Sequence, residues 1–444
     1  MQPAESGFAL QLVLVTMNRQ SLSIALPVGA QRPCRSQPMA ITESERDLHC
    51  RLQTSFAATD SLREQWDNAV IRLGGSIYMS YDWCRTWWEF YGTGKELRIF
   101  LFTSADKIVG ILPLYIDSLG WGPLRFGVAR LVGANIPPKV FDPAIDEEFS
   151  EKIFDAVLSQ LFREDKCDLL SLGPVSSLHQ SSERLEAACA ARKDLVAHCR
   201  SEPDGVHTIF WLPQSMEDYF DGLSKNERKN RRKYELRLLS KEFTAKVDIV
   251  SDPARVEEEF DHFVQQHTLH WVNQGKPGHF GAWPRATEFN RALVRAHGKL
   301  GRMRFIRILA NDQVIANQYT FAFGNSYWWE LPARAVGQEW ERFSLGPTGI
   351  VTMIAAAINE GKARLEGGLA HYDYKLRLGA KEYAVKKLRV LANRSGSARR
   401  MRVYELCRLV LSYGYHKVWY RRVSPVLPKA LRGPLWTAWL RLDF

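Results

Sequence analysis

No apolar run in the 444 residues approaches the ~20 that a bilayer-spanning helix needs. The best N-terminal candidate, Phe8 to Met17, is about half that length and has no basic stretch before it. A membrane-spanning helix and a secretory signal peptide are therefore not expected. Cysteine is sparse: Cys34, Cys50, Cys84, Cys167, Cys189, Cys199 and Cys407 are odd in number and scattered. They form no C-x-x-C pair and no Cys/His cluster at metal spacing, so we read reduced thiols, a cytoplasmic compartment and no metal. Glycine (30) and proline (20) are not enriched, which excludes collagen-like and mucin-like chains, and 45% hydrophobic residues exclude a wholly disordered one. Nor is positive charge spread over the chain. Of the net +11, residues 396–444 supply +8 (ten Lys/Arg against two Asp/Glu), leaving about +3 for the body. A polyelectrolyte role such as coating DNA is excluded by that near-neutral body.

What is present is a duplication. At an offset of 206, the aromatic segment from Trp83 to Gly92 falls on Phe289 to Gly298, matching Arg85 with Arg291 and Gly92 with Gly298. Each glycine ends a helix pattern and is followed by an apolar run, a polar turn and a second apolar run: Leu97–Phe102 and Ile108–Tyr115 in one copy, Met303–Leu309 and Val314–Phe321 in the other. Asp106 falls on Asp312 and Arg98 on Arg304. The second copy continues with a third strand over 326–331, a helix over 347–359 capped by Gly361, and a short strand from Ala363. Two successive mixed sheets with helices give an α/β class with α+β character. The expected divisions are a poorly patterned leader over 1–45, domains over 46–204 and 205–395, and a basic amphipathic helical tail over 396–444. The leader is read as disordered or as an over-extended start.

Three segments crowd chemistry. Ser224 and Glu227 form a capping box opening a run in which residues 225–246 hold nine Lys/Arg and three Glu. Such a helix either faces an anion, through Lys225, Arg228 and Arg232, or is a solvated face. Arg342-Phe-Ser-Leu-Gly-Pro-Thr-Gly349 lies between a strand and a helix. Gly346 lets a ligand approach the backbone, and the first-turn N–H groups can take a pyrophosphate. Glu366 to Glu382 holds His371, Asp373, Tyr374 and Lys375 just past a strand end. These residues suit proton removal from an amine or hydroxyl and stabilisation of negative charge, or else a structural network of Asp373 with Lys375, Arg377 or Lys381. His267 and His270 lack further ligands at zinc-enzyme spacing and are read as structural. Trp83, Trp87 and Trp88 are read as core, with an acyl or sugar pocket as the alternative. In the tail, Val403, Leu406, Val410 and Tyr413 share one side of a basic helix, followed by Trp419, Trp436 and Trp439. That side either docks on the body, the reading we favour, or lies on an anionic membrane.

Ser224 to Lys233, Gly275 to Phe280, Gly301 to Phe305, Ser344 to Pro347 and His371-Tyr-Asp-Tyr-Lys375, in this order, resemble the CelD/BioF2-like acetyltransferase family. That family lies within the GNAT superfamily and is related to the FemABX ligases. The resemblance is specific over about 205–395, looser over 60–175, and absent from both ends. It implies two tandem GNAT-like domains and direct acyl transfer from acyl-CoA, acetyl-CoA first, to an amine or hydroxyl of a small-molecule or glycan-precursor acceptor. The implied setting is cell-envelope, exopolysaccharide or cellulose biosynthesis, in the cytoplasm or peripheral to the inner membrane. By that analogy Arg342, Gly346, Thr348 and Gly349 hold the donor. Lys225, Arg228, Arg232 and Tyr374 hold substrate, and Asp373, His371, Lys375 and Glu330 are the catalytic candidates. One departure stands out: the family's Arg/Gln-x-x-Gly-x-Gly/Ala has one extra residue in each interval here. This keeps open an aminoacyl-tRNA donor of the Fem type; the other alternative is a non-catalytic scaffold of polysaccharide assembly that uses the basic tail on the inner membrane surface.

Overall fold

The computed structural model describes residues 47–133, 136, 139–141, 143–273, 278–281, 283–423, 426–428 and 441–442. The expected leader, Cys34, Gly275 to Pro277, Trp436 and Trp439 lie outside them.

Thirteen strands among the described residues form one mixed sheet. The first half supplies β1 (His49–Gln53), β2 (Glu96–Ser104), β3 (Lys107–Leu119), β4 (Phe126–Leu131), β5 (Ala144–Ile145), β6 (Leu169–Ser176) and β7 (Val196–Trp211). The second half supplies β8 (Ala245–Val250), β9 (Met303–Ala310), β10 (Gln313–Phe323), β11 (Ser326–Arg334), β12 (Arg364–Leu369) and β13 (Lys381–Ala392). The order is β1-β2-β3-β4-β6-β13-β7-β12-β11-β10-β9-β8, with β5 against β3. Read inward from either edge the pattern is the same: four antiparallel strands, then one parallel to the fourth (β4–β6, β11–β12). The last strand of each half then crosses to the other, so β13 lies beside β6 and β7 beside β12. Residues 204 and 205, where the sequence suggests a division, fall inside β7.

The helices are α1 (Arg63–Arg72), α2 (Tyr81–Tyr91), α3 (Ser150–Ser159), α4 (Ser181–Ala191), α5 (Met216–Gly222), α6 (Lys225–Lys229), α7 (Arg231–Tyr234), α8 (Val256–Asn273), α9 (Ala286–Gly298), α10 (Leu345–Asn359), α11 (Asp373–Arg377) and α12 (Ser397–Tyr413). The offset of 206 recurs in space. α2 precedes the β2–β3 hairpin as α9 precedes β9–β10. Both hairpins close on two-residue turns with positive φ at both positions, Ala105–Asp106 (45° and 60°) and Asn311–Asp312 (48° and 65°). Such turns match the twist of the strands they join, and Asp and Asn tolerate that conformation.

The two halves share a core. Trp83, on α2, is buried edge-on against Phe289 of α9 and Phe321 of β10, each with ring centroids at 6.0 Å. Trp87 is fully buried and stacks on Tyr115, and Trp88 is partly buried against the same core, so the tryptophan stripe is core. Across the same seam Arg302 pairs with buried Asp67 at 2.6 Å, and Asp67 also accepts from the Tyr81 amide at 2.8 Å.

The basic run departs from its sequence reading as one continuous helix. Ser224 does accept from the Glu227 amide at 3.3 Å, but the helix stops after Lys229, restarts as the single turn α7, and turns at Leu236, whose φ is +60°. Tyr234, Leu236 and Leu239 are buried, and burying all three apolar side chains requires the chain to bend around the body.

Candidate active site

The site starts from a defect in the sheet. β11 and β12 pair in parallel at three positions, Ser326–Arg364, Tyr327–Leu365 and Trp328–Glu366, and then diverge. On β11 the ladder to β10 passes from Trp329–Thr320 to Leu331–Tyr319, so Glu330 is the extra residue of a bulge that bends the strand. On β12 the next residues are Gly367 and Gly368. A Cβ at Gly367 would stand 3.0 Å from the Thr208 carbonyl oxygen, and Gly368 has φ +79°. Two parallel strands thus part at their C-terminal ends, beside the helix α10 that follows β11. Open sheets of this kind bind ligands at such a crevice.

Lys375 reaches the crevice from α11. It is buried, donates from Nζ to the Gly367 carbonyl at 2.7 Å, and lies over the rings of Tyr372 (4.6 Å) and Trp329 (5.4 Å). Burial pulls its pKa down to about 8 against the opposing pull of Glu382. His371 is exposed and bridges Glu382 Oε1 at 2.8 Å and Asp373 Oδ1 at 3.1 Å, and its pKa is raised, chiefly by the Glu382 hydrogen bond. Asp373 points to solvent and pairs with His371 rather than with Lys375, Arg377 or Lys381. Tyr374 is half-buried beside Tyr372, and burial pushes its phenol up to about 12. Glu330 lies elsewhere. Its buried carboxylate accepts from Tyr78 Oη at 2.9 Å and pairs with Lys139, both supplied by the first half. The four catalytic candidates thus occupy two environments: Lys375, His371 and Asp373 around the crevice mouth, and Glu330 at the seam between the halves.

The proposed donor loop is also divided. Gly346 lies in the first turn of α10, and a Cβ there would meet only a guanidinium nitrogen of Arg334, at 3.5 Å. Arg334 ends β11 and donates to His270 Nε2 at 3.2 Å. Arg342 is exposed and pairs with Glu242. Thr348 and Gly349 face inward: Thr348 Oγ1 donates to the Phe343 carbonyl at 2.9 Å, and a Cβ at Gly349 would strike the buried side chain of Gln318. These two seat the helix on β10, and their side-chain positions offer nothing to a ligand. Lys225, Arg228 and Arg232 are exposed on α6 and α7, and α7 packs on α10.

Sequence reasoning missed Trp329, Arg334, Tyr78, Lys139 and His279. His267 is buried; its Nδ1 donates to the Pro332 carbonyl at 2.7 Å, and its Nε2 lies 3.0 Å from His279 Nδ1. Burial pulls the two imidazoles down to about 3 and about 4, so the pair is neutral and structural at physiological pH. Trp329 and Arg334 follow the Glu330 bulge of β11, whereas Tyr78 and Lys139 meet Glu330 through packing of the two halves, and neither arrangement has a spacing signature in the sequence. Among the described residues there is no group of three His, Cys, Asp or Glu that could hold a metal, and no helix long and apolar enough to cross a membrane.

Residues 224–376 match the family model described as acetyltransferase (GNAT) domain. Among curated proteins, no sequence matches the chain. The crystal structure of FemX is similar with a TM-score of 0.57 at 11% identity, over 78% of this chain and 98% of that one. Also similar are the C-terminal domain of a putative lysylphosphatidylglycerol synthetase from Agrobacterium fabrum (TM-score 0.45, 14% identity, 80% of this chain and 97% of that one) and a conserved protein of unknown function from Bacteroides thetaiotaomicron (0.47, 10%, 77% and 100%). Residues 224–376 are thus similar to a GNAT acetyltransferase domain, and the fold of the chain is similar to that of FemX.

Proposed function

We propose that the chain transfers an acyl group from acyl-CoA directly to an amine or hydroxyl acceptor, and that the β11–β12 crevice is where it does so. The observation carrying this reading is the splay itself: two parallel strands forced apart by a bulge at Glu330 and by Gly367–Gly368, with α10 starting beside the gap. The residues present suit a CoA donor. Gly346 leaves open backbone, Arg334 stands beside it as a fixed positive charge, and first-turn amides of α10 favour phosphate. The donor supplies an activated thioester. Lys375, held charged between two aromatic faces and the Gly367 carbonyl, stabilises negative charge in the crevice. The exposed Asp373 carboxylate, paired with His371 at the solvent side, takes the acceptor's proton, while His371 is held by Glu382 and Asp373 and positions that carboxylate. Glu330 orients the seam through Tyr78 and Lys139. The acceptor we assign is a precursor of envelope or extracellular polysaccharide, with acetyl-CoA as the first donor to try.

Calorimetric titration with acetyl-CoA, a longer acyl-CoA and free CoA tests this. Saturable binding that Gly346→Glu weakens at least tenfold supports it; no binding to any of the three overturns it.

A second reading, an aminoacyl-tRNA donor, draws on the exposed Lys225, Arg228, Lys229 and Arg232 close to α10. It predicts tight tRNA binding that falls steeply with salt.

A further inference from the structure

The tail helix is oriented opposite to its sequence reading. α12 docks on the body through Ser397, Met401 and Tyr404, which recur at helical spacing. Ser397 Oγ donates to Asp168, Tyr404 stacks on Phe126 with centroids at 5.3 Å, and its hydroxyl donates to the Leu124 carbonyl at 2.9 Å. Arg400 pairs with Asp168 from the same side, and Glu405 pairs with Arg389 at 3.2 Å. The stripe expected to dock is therefore the one turned outward: Val403 is 38% exposed, Leu406 63%, Val410 67% and Tyr413 67%, with Leu409 beside them at 60%. Beyond it an apolar groove of about 710 Å³ runs between Leu406, Val410, Val418, Trp419 and Leu442.

An outward apolar stripe needs a cover, and the charges around it indicate which kind. Arg399, Arg402, Lys417 and Arg422 are exposed along it, and Glu405, the one acidic residue between 397 and 423, is held on the docked side by Arg389. Apolar side chains rimmed by cations alone match an anionic lipid surface, where the apolar stripe enters the acyl boundary and Arg and Lys meet the phosphates. We infer that the 397–423 segment binds the surface of an anionic membrane, lying in the interface without crossing it. This does not depend on the transferase reading.

The test is flotation of the full chain with vesicles of phosphatidylcholine alone and of phosphatidylcholine mixed with phosphatidylglycerol. Binding to the mixed vesicles only is expected. Arg399→Gln with Arg402→Gln should weaken it by about fivefold per charge and flatten its salt dependence. Leu406→Ser with Val410→Ser should abolish it, with little change in the thermal midpoint because both side chains are about two-thirds exposed. Equal binding to both vesicle types, or none to either, overturns the inference. So does a wild-type dimer that the Leu406/Val410 variant turns into a monomer without vesicle binding, since the stripe is then covered by a second copy.

Discussion

The two halves make the same crevice and treat it differently. In the first, β4 and β6 pair in parallel at Val128–Leu169, Ala129–Leu170 and Arg130–Ser171, again three positions, and part at Leu172–Gly173 as β11 and β12 part at Gly367–Gly368. The chain leaving β4 then returns into the gap. Phe141 bridges to Val175 in parallel, its amide donates to the Pro174 carbonyl at 2.7 Å, its ring is fully buried, and β5 closes on β3 beyond it. In the second half the chain leaving β11 runs through a 3-10 helix over Gln338–Phe343 into α10, and the gap receives Lys375. One copy closes its crevice with backbone and an aromatic ring; the other keeps it lined with ionisable groups. The closing loop also carries Lys139, which reaches across to Glu330, so the filled half supports the open one.

That contrast can be broken from either side. The largest effect is expected for Phe141→Ala, which leaves a cavity in the filled crevice and should cost about 3–5 kcal/mol in chemical denaturation. CoA affinity, measured where the variant is still folded, should be unchanged. Next is Arg302→Ala, which strands the buried Asp67 carboxylate at the seam and should cost about 3 kcal/mol by the same measurement.

Lys375→Met separates function from folding. Keeping that ammonium charged in its buried place costs about 3 kcal/mol below its folded pKa of about 8. The folded pKa lies below the unfolded one, so this penalty is fully present at neutral pH and is relieved as pH rises from about 8 toward the unfolded value. The variant should lose transfer by about a hundredfold with no fall in thermal midpoint at pH 7. In the wild type, transfer should decline as pH rises through about 8, and Lys375→Arg should move that decline upward. The smallest effect is expected for Ser80→Ala. It removes the side chain that caps α2 in the filled half and should cost about 1 kcal/mol without touching donor affinity.

The repeat was legible because its signals are local: a helix ending in glycine, then two apolar runs around a turn whose Asp and Asn accept positive φ. Lys375 and Gly346 were legible as residue types standing beside a strand end and a helix start. The exchange of β7 and β13 was not, because strand order depends on pairings far apart in sequence and the pattern within each strand is the same either way. Arg334 and Trp329 were hidden for a related reason: only the Glu330 bulge decides which side of the crevice a β11 side chain meets. The orientation of α12 is not legible, because a periodic apolar stripe fits a docked face and a membrane-facing one equally well. The opposite stripe, Ser397, Met401 and Tyr404, carries the hydrogen bonds and the aromatic stack that fix it.

The central claim is that one of two equivalent crevices takes an acyl donor. The most direct measurement is amide hydrogen exchange on the full chain with and without saturating CoA, read together with the binding stoichiometry. One CoA per chain is expected, with slowed exchange at 343–350 and 366–376 and none around 139–145. Two CoA molecules per chain, or protection centred on 139–145 and 172–176, would contradict it.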